Sequence, residues 1–112
     1  MADFTDEQIQ QVWKKGTKID DSDVYRKDCT GALMKKDQYG KETSMGWEID
    51  HVYPEAKGGD STLVNLRPMQ WENNRSKSDD YPDYSTAITS DGDKNVKKET
   101  KKNSERFITG NA

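Results

Sequence analysis

The sequence predicts a small α+β domain: a ββα core preceded by an N-terminal amphipathic helix and followed by a weakly structured C-terminal extension. Three observations predict it. Residues 4–16 carry a capped helical stripe, residues 47–52 alternate with period two, and an apolar stretch at 63–69 runs into a short helical segment at 71–79. The first 84 residues are expected to form the domain, with the core at 47–79, and residues 85–112 the extension.

The helix is the clearest local signal. Thr5-Asp6-Glu7-Gln8 reads as a capping box, and Phe4 and Ile9 occupy the N′ and N4 positions of a hydrophobic staple. Ile9, Val12 and Trp13 form an i, i+3, i+4 stripe, and Gly16 is placed to end the helix. Residues 17–28 read as polar and turn-rich. Ala32-Leu33-Met34 suits a short strand, and Asp37-Gln38-Tyr39-Gly40 a turn. The alternation at 47–52 places Trp47, Ile49 and His51 on one face and Glu48 and Asp50 on the other. The Gly58-Gly59 pair reads as a flexible loop ahead of the strand at 63–69, and Tyr81-Pro82 stops the following helix. Farther on, Thr86-Ala87-Ile88-Thr89 and Val96 flank Ser90-Asp91-Gly92-Asp93 in a hairpin pattern. The charged stretch from Lys97 to Arg106 predicts a partly disordered or frayed tail.

Composition narrows the function. The chain of 112 residues is 29% hydrophobic and 35% charged, enough for one modest core. No apolar run approaches the ~20 residues of a membrane span, and no signal-peptide h-region opens the sequence. Cys29 is the single cysteine, so neither an internal disulfide nor a cysteine zinc knuckle can form, and a reducing, cytoplasmic setting is expected. The net charge is −3, with the acid concentrated at the ends. Residues 24–78 hold 9 basic and 8 acidic side chains. Any affinity for DNA is therefore expected to be weak and salt-sensitive.

Polar residues at the core carry the chemistry. Asp50 and His51 are adjacent, Asn65 follows His51 by 14 residues, and Asn74 lies 9 beyond. Phosphodiester hydrolysis needs a water nucleophile, a proton acceptor and positive charge at the phosphate. An imidazole, titrating near ~6.5, serves as a base at neutral pH. Hard oxygens such as those of Asp50 and Asn74 suit Mg²⁺ or Mn²⁺. Arg75 and Lys77, beside the site, are candidate phosphate contacts, and Arg26 and Lys27 are weaker candidates for the DNA backbone. Trp13, Trp47 and Trp71 read as core anchors.

Trp47-Glu48-Ile49-Asp50-His51-Val52, Pro54, Gly58-Gly59, Asn65-Leu66 and Asn74 with Lys77-Ser78-Asp79 resemble the HNH endonucleases, a family of ββα-metal nucleases. Asp50, His51, Asn65 and Asn74 match the family's D-H, N and N at the spacing found in the HNH domain of CRISPR effector nucleases. Flanking segments (Val12-Trp13, Lys15-Gly16, Tyr25-Arg26-Lys27-Asp28, Tyr39-Gly40, Asn73-Asn74-Arg75) resemble a bacterial and phage subgroup. The resemblance implies that Asp50 and Asn74 hold one divalent cation, that His51 activates water, and that Asn65 orients the imidazole and pins the loop. The implied substrate is double-stranded DNA. Many members bind a structural zinc through CxxC pairs, which Cys29, Gln70 and Asn73 cannot supply. Colicin-type members carry a further histidine where this chain has Ser78, which favours a water-rich magnesium or manganese site. The alternative is a catalytically weak or inactive nucleic-acid-binding module on the same scaffold. A small interaction domain is a third reading.

Overall fold

A computed structural model describes residues 3–105 as a mixed α+β fold with two helices and short antiparallel sheets. Helix α1, Asp6–Trp13, forms as its cap dictates: the Thr5 hydroxyl accepts from Gln8 N at 3.1 Å, and Gln8 Oε1 accepts from Thr5 N at 2.9 Å. Val12 and Trp13 are buried, while Phe4 and Ile9 pack on the same core as a staple. Gly16 follows the helix end without a left-handed φ. A Cβ there would lie 3.1 Å from Arg26 Cβ, a tight contact that glycine avoids.

Arg26 belongs to a sheet that the polar, turn-rich sequence at 17–28 does not reveal. Strands β1 (Thr17–Lys18), β2 (Tyr25–Lys27) and β3 (Leu33–Lys35) pair antiparallel in that order. The first two are largely exposed, so no apolar alternation marks them. Backbone pairing and the Arg26 guanidinium, donating to the carbonyls of Lys14 and Gly16 and to Asp23, hold them.

The centre is a hairpin followed at once by a helix. Strands β4 (Trp47–His51) and β5 (Leu66–Gln70) pair antiparallel with Trp47 opposite Gln70 and His51 opposite Leu66, and α2 spans Trp71–Lys77. The predicted strand at 63–69 thus begins with a 3₁₀ turn, Leu63–Asn65, before extending. Pro68 is tolerated because β5 pairs on one side only. One face of β4 supplies Trp47 and Ile49 to a core completed by Val12, Trp13, Met34 and Leu66. The Trp13 and Trp47 rings lie 5.2 Å apart, and Tyr39 meets Trp47 edge-on at 4.9 Å.

Trp71 departs from the expectation of a core anchor. It is half-buried, donates to Thr43 O at 2.7 Å, and is covered by the Arg75 guanidinium at 4.9 Å. A polar knot shares the work of holding the interior. Asp28, 3% exposed, accepts from Thr30 N, Thr30 Oγ1 and Ala32 N through one oxygen, and from Gln70 N and Asn73 Nδ2 through the other. Gln70 and Asn73 are both fully buried. A carboxylate saturated by donors ties β2–β3 to α2.

Residues expected as an extension are part of the body. Strands β6 (Asp83–Asp91) and β7 (Lys94–Ser104) form a hairpin turning at Gly92, φ 67°. The boundary expected at residue 84 falls inside β6. Asn73 bonds both the N–H and the C=O of Ile88, Ser76 donates to Ser85 O, and Asn95 grips Leu33 through both its N–H and its C=O. The lysine-rich stretch read as a frayed tail is therefore strand through Ser104; Arg106 lies outside the described residues. An edge strand facing water needs no apolar period, and its lysines block further pairing. No helix among the described residues is long and apolar enough to cross a membrane.

Candidate functional site

A cavity of about 420 Å³ opens between the end of β4 and α2, lined by Glu48, Asp50, His51, Glu55, Asn74, Arg75 and neighbouring residues. Strand alternation sends Glu48 and Asp50 away from the tryptophan core, and α2 presents Asn74 and Arg75 opposite them. Three of the residues expected to carry the chemistry, Asp50, His51 and Asn74, therefore converge.

Asp50 is 4% exposed. Its Oδ2 accepts from Arg67 Nε at 2.9 Å and its Oδ1 from Lys77 Nζ at 3.2 Å. Burial pushes its carboxyl above the usual carboxylate range, and the two cations pull the other way. A carboxylate has about four lone-pair directions, so these two bonds leave room for a ligand. Arg67 is held in turn by Glu105 at 2.5 Å and lies over the Tyr84 ring. Arg67 and Glu105 are structurally decisive neighbours of the site that the sequence did not single out. Arg67 faces Asp50 across the β4–β5 ladder, a register visible only once the strands pair.

Glu48 is the other residue the sequence left unassigned. Its Oε1 accepts from Asn74 Nδ2 at 3.0 Å, and its Oε2 from Arg75 Nη2 at 3.0 Å. Its position two residues before Asp50 on a strand was the available signal. Among the described residues the Asn74 Oδ1 has no protein donor. With a cation between Glu48 and Asn74, a half-turn of the amide would exchange Nδ2 for Oδ1 and face an oxygen to the ion.

His51 presents Nε2 to the Ser61 hydroxyl at 2.9 Å and to Glu55 Oε2 at 3.8 Å, with Phe4 against the ring at 6.1 Å between centroids. Asn65 does not touch the imidazole as expected. It is 1% exposed and spends its amide on the loop backbone: Tyr53 N, Tyr53 O and Asp60 O. Its loop-pinning role has direct contacts; its orienting role does not.

The expected phosphate contacts divide. Arg75 is half-exposed at the cavity rim, paired with Glu48 and Glu42. Lys77 is fully buried, donating to Asp50 and to His51 O at 3.1 Å, and cannot reach a phosphate. Arg26 is consumed by the β1–β2 junction. Lys27 lines a separate groove with Ile19, Tyr25 and Leu33. The Gly58-Gly59 pair is rigid in purpose: Gly58 takes φ 100° to end a 3₁₀ turn, and a Cβ on Gly59 would sit 1.7 Å from Tyr53 O.

Four carboxylates (Glu48, Asp50, Glu55, Asp79) and one guanidinium (Arg75) line the cavity. Arg75 offsets Glu48, and Lys77 and Arg67 offset Asp50, so the lining keeps only a modest excess of negative charge. Among the described residues no group of three His, Cys, Asp or Glu side chains forms a ready cage for a metal ion. The donor set that fits is sparse and oxygen-rich, as suits a magnesium ion that keeps several waters. No family model matches this chain, and no curated protein or solved structure matches it.

Proposed function

We propose that the chain is a divalent-cation-dependent endonuclease hydrolysing phosphodiester bonds in DNA, of the HNH type, acting in the cytoplasm. The observation that carries the reading is the convergence of Asp50, His51 and Asn74, with Glu48, on one acidic cavity. Asp50, Asn74 and Glu48 would hold one Mg²⁺ or Mn²⁺. Such an ion supplies the positive charge that lets a phosphate enter and that stabilises the leaving oxygen. His51 takes the proton from the attacking water, and Arg75 at the rim steadies the phosphate. Lys77 and Arg67 hold the Asp50 carboxylate in one orientation, so its lone pairs are aimed before substrate arrives. Nicking of supercoiled plasmid is the test. Cleavage is expected with Mg²⁺ or Mn²⁺, none with EDTA, and none from His51→Ala. A wild-type protein inert across Mg²⁺, Mn²⁺ and Zn²⁺ refutes the reading.

The double pairing of Asp50 favours a second reading, a nucleic-acid-binding module with little or no hydrolysis. An Asp50 satisfied by two cations gains less from a metal. This module binds DNA at low salt, neither cleaves nor gains Tm with Mg²⁺, and so is separated by the same preparation.

A further inference from the structure

We propose that Ser61, held in place by Asn65, is a positioning residue for His51: it fixes the imidazole as the Nε2–H tautomer and leaves the Nδ1 lone pair as the proton acceptor. Its catalytic meaning rests on the nuclease reading; its geometry does not.

The segment between β4 and β5 is stitched from within. The Asn65 Oδ1 accepts from Tyr53 N at 2.9 Å, and its Nδ2 donates to Tyr53 O at 3.0 Å and to Asp60 O at 2.7 Å. Val52 N donates to Asn65 O at 3.0 Å, fixing both ends of the segment to each other. Asp60 Oδ1 then accepts from Thr62 N at 3.2 Å and Thr62 Oγ1 at 2.7 Å, a closed turn with Ser61 at its apex. Gly59 passes so close to Tyr53 O that only a residue without Cβ fits. The turn is thus pinned at Asp60, one residue from Ser61, and delivers the Ser61 hydroxyl to His51 Nε2 at 2.9 Å.

A hydroxyl can donate or accept, so Ser61 alone does not choose the tautomer. Glu55 does. Its Oε2 lies 3.8 Å from the same Nε2, and a carboxylate there repels a ring lone pair and attracts an N–H. Nε2 therefore carries the proton and donates to Ser61, as an imidazole's second nitrogen commonly donates to an orienting partner. Nδ1 is left as the base. Asn65 acts on the imidazole through Ser61, at one remove from the role its position suggested.

His51 is the only histidine in the chain, so ¹⁵N-histidine labelling reports this one ring. At a pH where the ring is neutral, long-range ¹H–¹⁵N correlation of the metal-free wild-type protein is expected to show a pyrrole-like Nε2 and a pyridine-like Nδ1. Ser61→Ala, at an exposed position, should fold yet average the two shifts toward a tautomer mixture, while Ser61→Thr restores the wild-type pattern. Plasmid nicking by Ser61→Ala should fall on the order of 10-fold, with Ser61→Thr close to wild type. A wild-type ring protonated at Nδ1, or split between tautomers, overturns the proposal. So does a Ser61→Ala spectrum with both ring shifts unmoved. A protein with the expected ring shifts in every variant but no nicking keeps the positioning and loses the nuclease reading.

Discussion

Replacing Lys77 with methionine separates two roles for a residue whose neighbours in sequence suggest a phosphate contact. The side chain is 0% exposed, its Nζ donating to Asp50 Oδ1 at 3.2 Å and His51 O at 3.1 Å beneath the Tyr84 ring. Methionine keeps the volume and removes the charge. Breaking a buried pair by removing one partner costs about 3–5 kcal/mol. Asp50 retains Arg67, and the lysine's own desolvation cost disappears, so the low end applies, about 3 kcal/mol. For a chain of 112 residues that corresponds to a fall in Tm of roughly 13 °C. Urea unfolding followed by tryptophan fluorescence measures it, with DNA binding titrated against salt in parallel. A variant within about 0.5 kcal/mol of wild type, whose binding loses about one unit of log–log salt slope, would refute the structural role and restore the phosphate contact.

Three further outcomes follow from the same geometry. Asp28→Ala orphans the donors of Thr30, Ala32 and Gln70 and should cost upward of about 3 kcal/mol, read from the urea midpoint. Although burial opposes it, hydrogen bonds from Lys36, Arg26 and the Trp13 indole hold the Asp23 carboxyl below its ordinary 3.8, at about 2. Its contribution is then full above about pH 4 and lost as pH falls toward 2. Asp23→Asn should lower stability at pH 6 and cost much less at pH 2, where about half of the carboxylate is already protonated, measured as the denaturant midpoint at each pH. Glu48→Gln should raise the Mg²⁺ concentration for half-maximal nicking by about tenfold; an unchanged Mg²⁺ dependence removes Glu48 from the cation site.

Local rules fixed what depends on neighbours in the chain. The Thr5–Gln8 box, the staple of Phe4 and Ile9, the alternation from Trp47 to His51 and the helix that follows Gln70 are all readable because each is decided within a few residues. The proximity of Asp50, His51 and Asn74 was legible too, since a strand, a return strand and a helix leave few ways to arrange those positions. Pairing across the chain decided the rest. Lys77 became a buried counter-ion, Arg67 met Asp50 across the ladder, and Asn65 turned to the backbone, because burial forces every polar group to find a partner and the partner is chosen by register. The solvated strands β1 and β2 and the lysine-rich length of β7 beyond Val96 left no apolar alternation in the sequence, for their order comes from hydrogen bonds to other strands. The amino-acid order determined which elements form and which chemistry-bearing residues the molecule has; only the packed structure decided which of those residues face the cavity and which are spent holding it open.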